Sequence, residues 1–112
     1  MASNFKNEGG AVSQIDNSSA DVYTCPASPA SMRAILHAVY ISNIDLAAIG
    51  RADVKVTVDG GTTFRHIGKN LEIGPNNTLV LDKPVNLEAS DILRIVGDVN
   101  HLEVFLSVLE VS

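Results

Sequence analysis

The chain has 112 residues, 46% of them hydrophobic, with a formal net charge of −5 and a pI near 4.9. That apolar share excludes general disorder, and the length gives one domain that buries roughly two-thirds of the surface its unfolded chain exposes. The acidic balance, with eight basic residues scattered from Lys6 to Arg94, argues against phosphate-driven binding of nucleic acid, which needs clustered Lys and Arg.

Residues 1–20 are rich in Asn, Ser, Gly and Asp and too poor in apolar residues to fold alone. They are expected to form a flexible polar arm ahead of a β-domain over residues 21–112. The arm reads as a leader without fixed structure, or as an extended segment that orders on a neighbouring subunit with Phe5, Val12 and Ile15 as anchors. It lacks the apolar core of a signal peptide, and no apolar run is long enough to span a bilayer. The expected setting is therefore a cytosol-like compartment in which the chain is used, or in which it is assembled and then released by lysis, with no membrane partner.

Residues 22–25 predict a short first strand, ended by Pro26 and Pro29, which lack backbone donors. Residues 31–42 predict a long strand, with helix as a competitor because Ala, Met, Arg and Leu are good helix formers. Strict alternation puts Ala34, Leu36, Ala38 and Tyr40 on one face and Ile35, Val39 and Ile41 on the other. The connection over residues 43–52 is expected to hold a single helical turn, capped by Asp45 and ended by Gly50.

Residues 53–58 then alternate without a break, Val54, Val56 and Val58 against polar neighbours, the pattern of a half-buried strand. The Asp59-Gly60-Gly61-Thr62 run signals a hairpin, and a three-residue loop is expected because it aligns Val56 with Phe64. Strands over residues 71–73 and 78–82 flank a Gly74-Pro75-Asn76-Asn77 turn, and Pro84 breaks the run after Asp82. Residues 85–87 lead into the tight acidic turn 88–91, where an Asp commonly bonds the backbone.

Residues 92–96 and 102–111 close the chain. In the last stretch Leu102, Val104, Leu106 and Val108 form one row, and Phe105, Leu109 and Val111 the other, so both faces are mostly apolar. Joined by a four-residue loop, the two segments predict a hairpin with Leu93 opposite Val104 and Arg94 opposite Glu103. About eight short antiparallel strands separated by turns, with no helix able to cover a sheet, give an all-β sandwich or jelly roll.

No catalytic constellation emerges. His37, His66 and His101 fall on three segments without ligand spacing, so no metal or cofactor is expected. Cys25, the one cysteine, reads as a buried small residue. Enzymatic function is not expected.

Several motifs beyond the arm carry a resemblance. These are Val22-Tyr23-Thr24-Cys25-Pro26-Ala27, residues 34–43 ending Val39-Tyr40-Ile41-Ser42-Asn43, residues 78–84, residues 87–91 and residues 106–112. Together they resemble a family of small β-sandwich virion proteins of tailed bacteriophages. Family members often carry Gly where this chain has Ser90, and lack the 44–51 segment. The resemblance implies a non-enzymatic capsid decoration (cement) protein, or a tail, neck or fibre-attachment subunit. It implies trimers on the assembled shell, with the major capsid protein or other virion proteins as partners and the virion, assembled in the host cytoplasm, as location. Phe5, Val12, Ile15, Ile35, Val39, Ile41, Phe105 and Leu109 are the expected interface residues. A carbohydrate-binding jelly roll is a more distant alternative, thinly supported without Trp; Tyr23 and Tyr40 would be its platforms.

Overall fold

A computed structural model of the chain describes residues 3–12, 21–59, 62–97 and 102–111. Among these residues are nine strands and no helix: β1 (Ser3–Val12), β2 (Asp21–Thr24), β3 (Arg33–Asn43), β4 (Gly50–Thr57), β5 (Phe64–Ile73), β6 (Thr78–Leu81), β7 (Val85–Glu88), β8 (Ile92–Gly97) and β9 (Leu102–Val111). All pairings are antiparallel. Sheet A runs β1-β9-β3-β6, with β7 continuing alongside β3 where β6 stops, and sheet B runs β2-β8-β4-β5.

The pairings follow one rule. β4 pairs with β5, β3 with β6 and β7, β2 with β8, and β1 with β9. The chain is thus doubled back on itself at the β4–β5 turn and rolled, which brings β9 beside β3 and β8 beside β4. This is a jelly roll of eight strands whose seventh is split into β6 and β7 around Pro84.

Period-2 alternation builds the core between the sheets. On β9, Leu102, Val104, Leu106 and Val108 are buried, and they meet Leu93 and Ile95 of β8 and Ala52, Val54 and Val56 of β4 in a single cluster. Each large aliphatic side chain buried this way contributes about 1.5–3 kcal/mol relative to exposure. Asn43, buried at the end of β3, is fully engaged: its Nδ2 donates to the Ala48 and Ile73 carbonyls (2.8 and 3.0 Å) and its Oδ1 accepts from Asp45 N–H (3.0 Å). A buried amide so satisfied does not lose the cost of leaving water.

Four local expectations are corrected. First, β8 and β9 are not a hairpin: they lie in opposite sheets, so Leu93 and Val104 belong to facing layers of the core rather than to adjacent strands. Alternation fits either arrangement, because the same apolar rows that match side by side also match face to face. Arg94 accordingly has no Glu103 neighbour in its sheet; its guanidinium lies 4.0 Å from the Phe64 ring centroid. Second, β4 and β5 pair Val56 with Arg65 and Thr57 with Phe64. Mixing the faces is tolerated because β5 is an edge strand and mostly exposed.

Third, the 43–49 connection has no helical turn, although Asp45 Oδ1 does accept from Ala47 and Ala48 N–H (2.7 and 3.0 Å); Gly50 opens β4. Fourth, Ser3–Val12, expected within the polar arm, forms β1 and pairs with β9 along its whole length. An edge strand is held by its backbone ladder, so apolar side chains are not required of it. Residues 13–20, with the expected anchor Ile15, lie outside the described residues.

Candidate assembly surface

The outer face of sheet A is set by one irregularity in β3. Ala34 and Leu36 point inward, but the next buried residues are Val39, Ile41 and Asn43. The three-residue step marks a β-bulge: pairing with β9 slips between Leu36 and Ala38, leaving His37 as the extra residue. One inserted residue reverses which side chains face the core. Val39 and Ile41, expected at an interface, are therefore core residues, and Tyr40, expected with Leu36, faces outward.

Two apolar rows cross the resulting face. Phe105 of β9 lies beside Tyr40 of β3, which lies beside Val80 of β6; the two rings are 6.2 Å apart and inclined at 51°. Phe105 remains 48% exposed and Val80 45%. The second row joins Phe5 of β1, Leu109 of β9 and Ile35 of β3. Phe5 is 75% exposed and stacks on the His37 imidazole, with ring centroids 6.2 Å apart. Of the expected interface residues the structure thus brings together Phe5, Ile35, Phe105 and Leu109. Val12 ends β1 opposite Leu102.

Sheet B presents a different exterior. Asp53, Lys55, His66 and Arg94 share it, with His66 Nε2 4.0 Å from Asp53 Oδ2 and Asp53 Oδ1 accepting from Asn70 N–H at 2.6 Å. The outer face of sheet A differs in carrying the two apolar rows, set among polar residues such as Ser42, Glu103, Ser107, Arg33 and Glu88.

Polar clusters serve the fold. Tyr23 of β2 is buried and donates its hydroxyl to the Glu110 carboxylate of β9, which also lies 3.7 Å from Lys6 Nζ of β1. Burial of Tyr23 removes it as a sugar platform. Asp91 is buried and accepts from Glu88 N–H at 3.0 Å, closing the turn in which it sits. Cys25 is buried beside it, its N–H donating to Asp91 O (2.8 Å) and its carbonyl accepting from Ser90 N–H (3.0 Å). Burial, then the charges of Glu110 and Asp91, pushes the Cys25 thiol above its ordinary value, the reverse of an activated nucleophile. Among the described residues no three His, Cys, Asp or Glu side chains are grouped to hold a metal ion.

No family model and no curated protein matches the sequence. Solved structures do match the fold. A chain of the Bacillus endospore appendages, described as disulfide-linked pili, aligns with a TM-score of 0.54 at 11% identity, covering 99% of this chain and 87% of that one. A chain from the capsid of Helicobacter pylori bacteriophage KHP30 aligns with a TM-score of 0.51 at 14% identity, covering 100% and 94%. A pentameric capsid protein from metagenomic phage sequences aligns at 0.50 and 17% identity; this chain covers 59% of its length with 94% of its own. At these identities the likeness is one of fold.

Sequence reasoning missed Tyr40 and Val80 on the outer face. The step from Leu36 to Val39, with His37 between, is the signal that reveals the bulge. It also missed the connection after β3, where Ile44, Leu46 and Ile49 are exposed, Leu46 to 85%. Three large aliphatic residues within six positions of a loop are the cue.

Proposed function

We propose that the chain is a non-enzymatic structural subunit of a bacteriophage virion, and specifically a capsid decoration protein that oligomerises on the assembled shell and stabilises it. The observation that carries this reading is the pair of apolar rows on the outer face of sheet A, in which Phe5 is 75% and Phe105 48% exposed. A protein that works alone has no use for a side of Phe5, Tyr40, Val80 and Phe105 turned to water.

The jelly-roll likeness to phage capsid proteins supports the setting. The KHP30 chain is matched along nearly its whole length. The polar clusters, each spent on the fold, support a role without catalysis.

The mechanism is mass action. A subunit that binds the assembled shell and not its separated parts stabilises the shell by its own binding free energy. The outer face of sheet A packs against sister subunits, and the remaining surface meets the major capsid protein or other virion proteins. The sequence resemblance favours trimers, whereas the metagenomic phage neighbour is a pentamer, so subunit counting is part of the test. Shells carrying the protein are expected to disrupt at a higher temperature than shells without it; equal temperatures overturn the stabilising role. Hundreds of copies per particle support decoration, whereas a few to tens favour a tail, neck or fibre-attachment subunit. The pilus likeness is weaker as a guide, because Cys25, the one cysteine, is buried and not placed for linkage between subunits.

A further inference from the structure

An edge strand leaves a row of backbone donors and acceptors open to another chain. Three of the four sheet edges among the described residues are blunted. β2 has four residues and a register shift, β5 slips twice against β4, and the β6–β7 edge is broken around Pro84. β1 differs: its ten residues pair with β9 without a shift, and none of them is a proline. Its other edge is long and regular.

The registers open to a second β1 follow from the ladder. Alternate residues of a strand turn their N–H and C=O to one side, and the residues between turn theirs to the other. Two antiparallel copies of one edge therefore pair about an axis that passes through a residue. An axis at Lys6 sets Lys6 against itself, and an axis at Glu8 sets Glu8 against itself; like charges directly opposite are destabilising. An axis at Asn7 sets Lys6 opposite Glu8 on both sides and keeps residues 3–11 of each copy in the ladder. Axes further out shorten it.

The same register joins the apolar rows of the outer face. One row ends at Phe5, beside Leu109 and Ile35, while Gly9 lies beside Phe105 at the head of the row that continues to Tyr40 and Val80. About Asn7, Phe5 of one copy stands opposite Gly9 of the other. Each row that ends at Phe5 thus runs on into the row that starts at Phe105 of the second copy. Gly9 has no side chain to separate the two rings, and a glycine inside a strand often marks such a close approach.

We propose that β1 is a two-fold joint: the open edges of two copies pair antiparallel about Asn7 and fuse their A sheets into one. Charge and apolar complementarity select the same register, and Phe5 and Phe105, 75% and 48% exposed in the single chain, cover one another across it. The contact is isologous, so it joins copies in pairs. In an assembly of other symmetry it links neighbouring oligomers. The proposal goes beyond the reading of the chain as a virion subunit and does not depend on where the copies sit.

The test is analytical ultracentrifugation of the full chain. Asn7 is exposed, so Asn7→Asp and Asn7→Lys should keep the parent melting temperature. On the axis each new charge meets its own copy, and pairing is expected to weaken about fivefold, the upper range for one cross-strand charge pair. An equimolar mixture of the two variants brings opposite charges together and should pair more tightly than either alone. A parent that is monomeric throughout, a variant that pairs like the parent, or a mixture no tighter than its components overturns the proposal. None of these results bears on the shell-heating experiment, so the two readings fail separately.

Discussion

The Tyr23 hydroxyl donates a hydrogen bond to the Glu110 carboxylate from one sheet of the sandwich to the other. Both residues are buried, and Lys6 reaches the same carboxylate from β1. One acidic group therefore ties together the second strand, the last strand and the edge strand.

Removing the hydroxyl leaves a buried carboxylate short of a donor. Hydrogen bonds to charged groups contribute about 1.5–3 kcal/mol, so Tyr23→Phe is expected to destabilise by about that amount in urea unfolding. A change below about 0.5 kcal/mol would mean that Lys6 and solvent satisfy Glu110 unaided.

Adjacent residues of β9 should behave oppositely. Leu106→Ala opens a cavity in the core and is expected to cost about 2–5 kcal/mol, because Leu106 is fully buried. Phe105→Ala, on the outer face, should cost the dilute chain about 1 kcal/mol or less, mainly its ring contact with Tyr40. It should instead weaken oligomer formation. Equal losses of stability at the two positions would contradict the alternation.

Ser90 has φ of 73° in the turn closed by Asp91 N–H to Glu88 O (2.9 Å). L-residues are disfavoured in that region and Gly is not. Ser90→Gly keeps the backbone bond to Cys25 O and should stabilise by about 0.5–1 kcal/mol, read as a higher urea midpoint at unchanged slope. A lower midpoint would show that the Ser hydroxyl contributes more than the backbone strain costs.

Asp59 organises the β4–β5 turn. Its carboxylate accepts from Thr63 N–H (2.8 Å), Thr57 Oγ1 (2.7 Å) and Thr62 N–H (3.1 Å). The Thr63 bond first, then the Thr57 hydroxyl, lowers its pKa from 3.8 to about 2. Because the folded value lies below the unfolded one, the turn's contribution is complete above the unfolded pKa and is lost as pH falls through the folded one. Carboxyl NMR should show Asp59 titrating near 2, and Asp59→Asn should abolish that part of the acid sensitivity. Titration near 3.8 would mean the turn opens in solution.

Strand identity was legible where alternation is long: β4 and β9 announce both their faces, and Pro84 announces the break between β6 and β7. The turn at Ser90 and the burial of Cys25 were legible for the same local reasons. Pairing was not, because Leu93 and Ile95 match Leu102 and Val104 equally well as strand neighbours or as opposite walls of a core. The candidate assembly face was half legible: Phe105 and Leu109 follow from simple alternation, but His37 inserts a residue and exchanges Tyr40 for Val39 and Ile41. β1 was hidden because a ladder of backbone bonds leaves little mark on side-chain composition.

The rolled topology also sets an order of events. β9 is the centre of sheet A, flanked by β1 and β3, yet it follows every other strand in the chain. During synthesis β1 must wait for it, and β3, paired with β6 and β7 in the meantime, keeps its other edge open. Such non-local pairing folds slowly, because the entropy of closing long loops is lost before the contacts form. Rapid, high-level synthesis of this chain is thus also the condition in which its unfinished copies, with strand edges still open, meet one another most often.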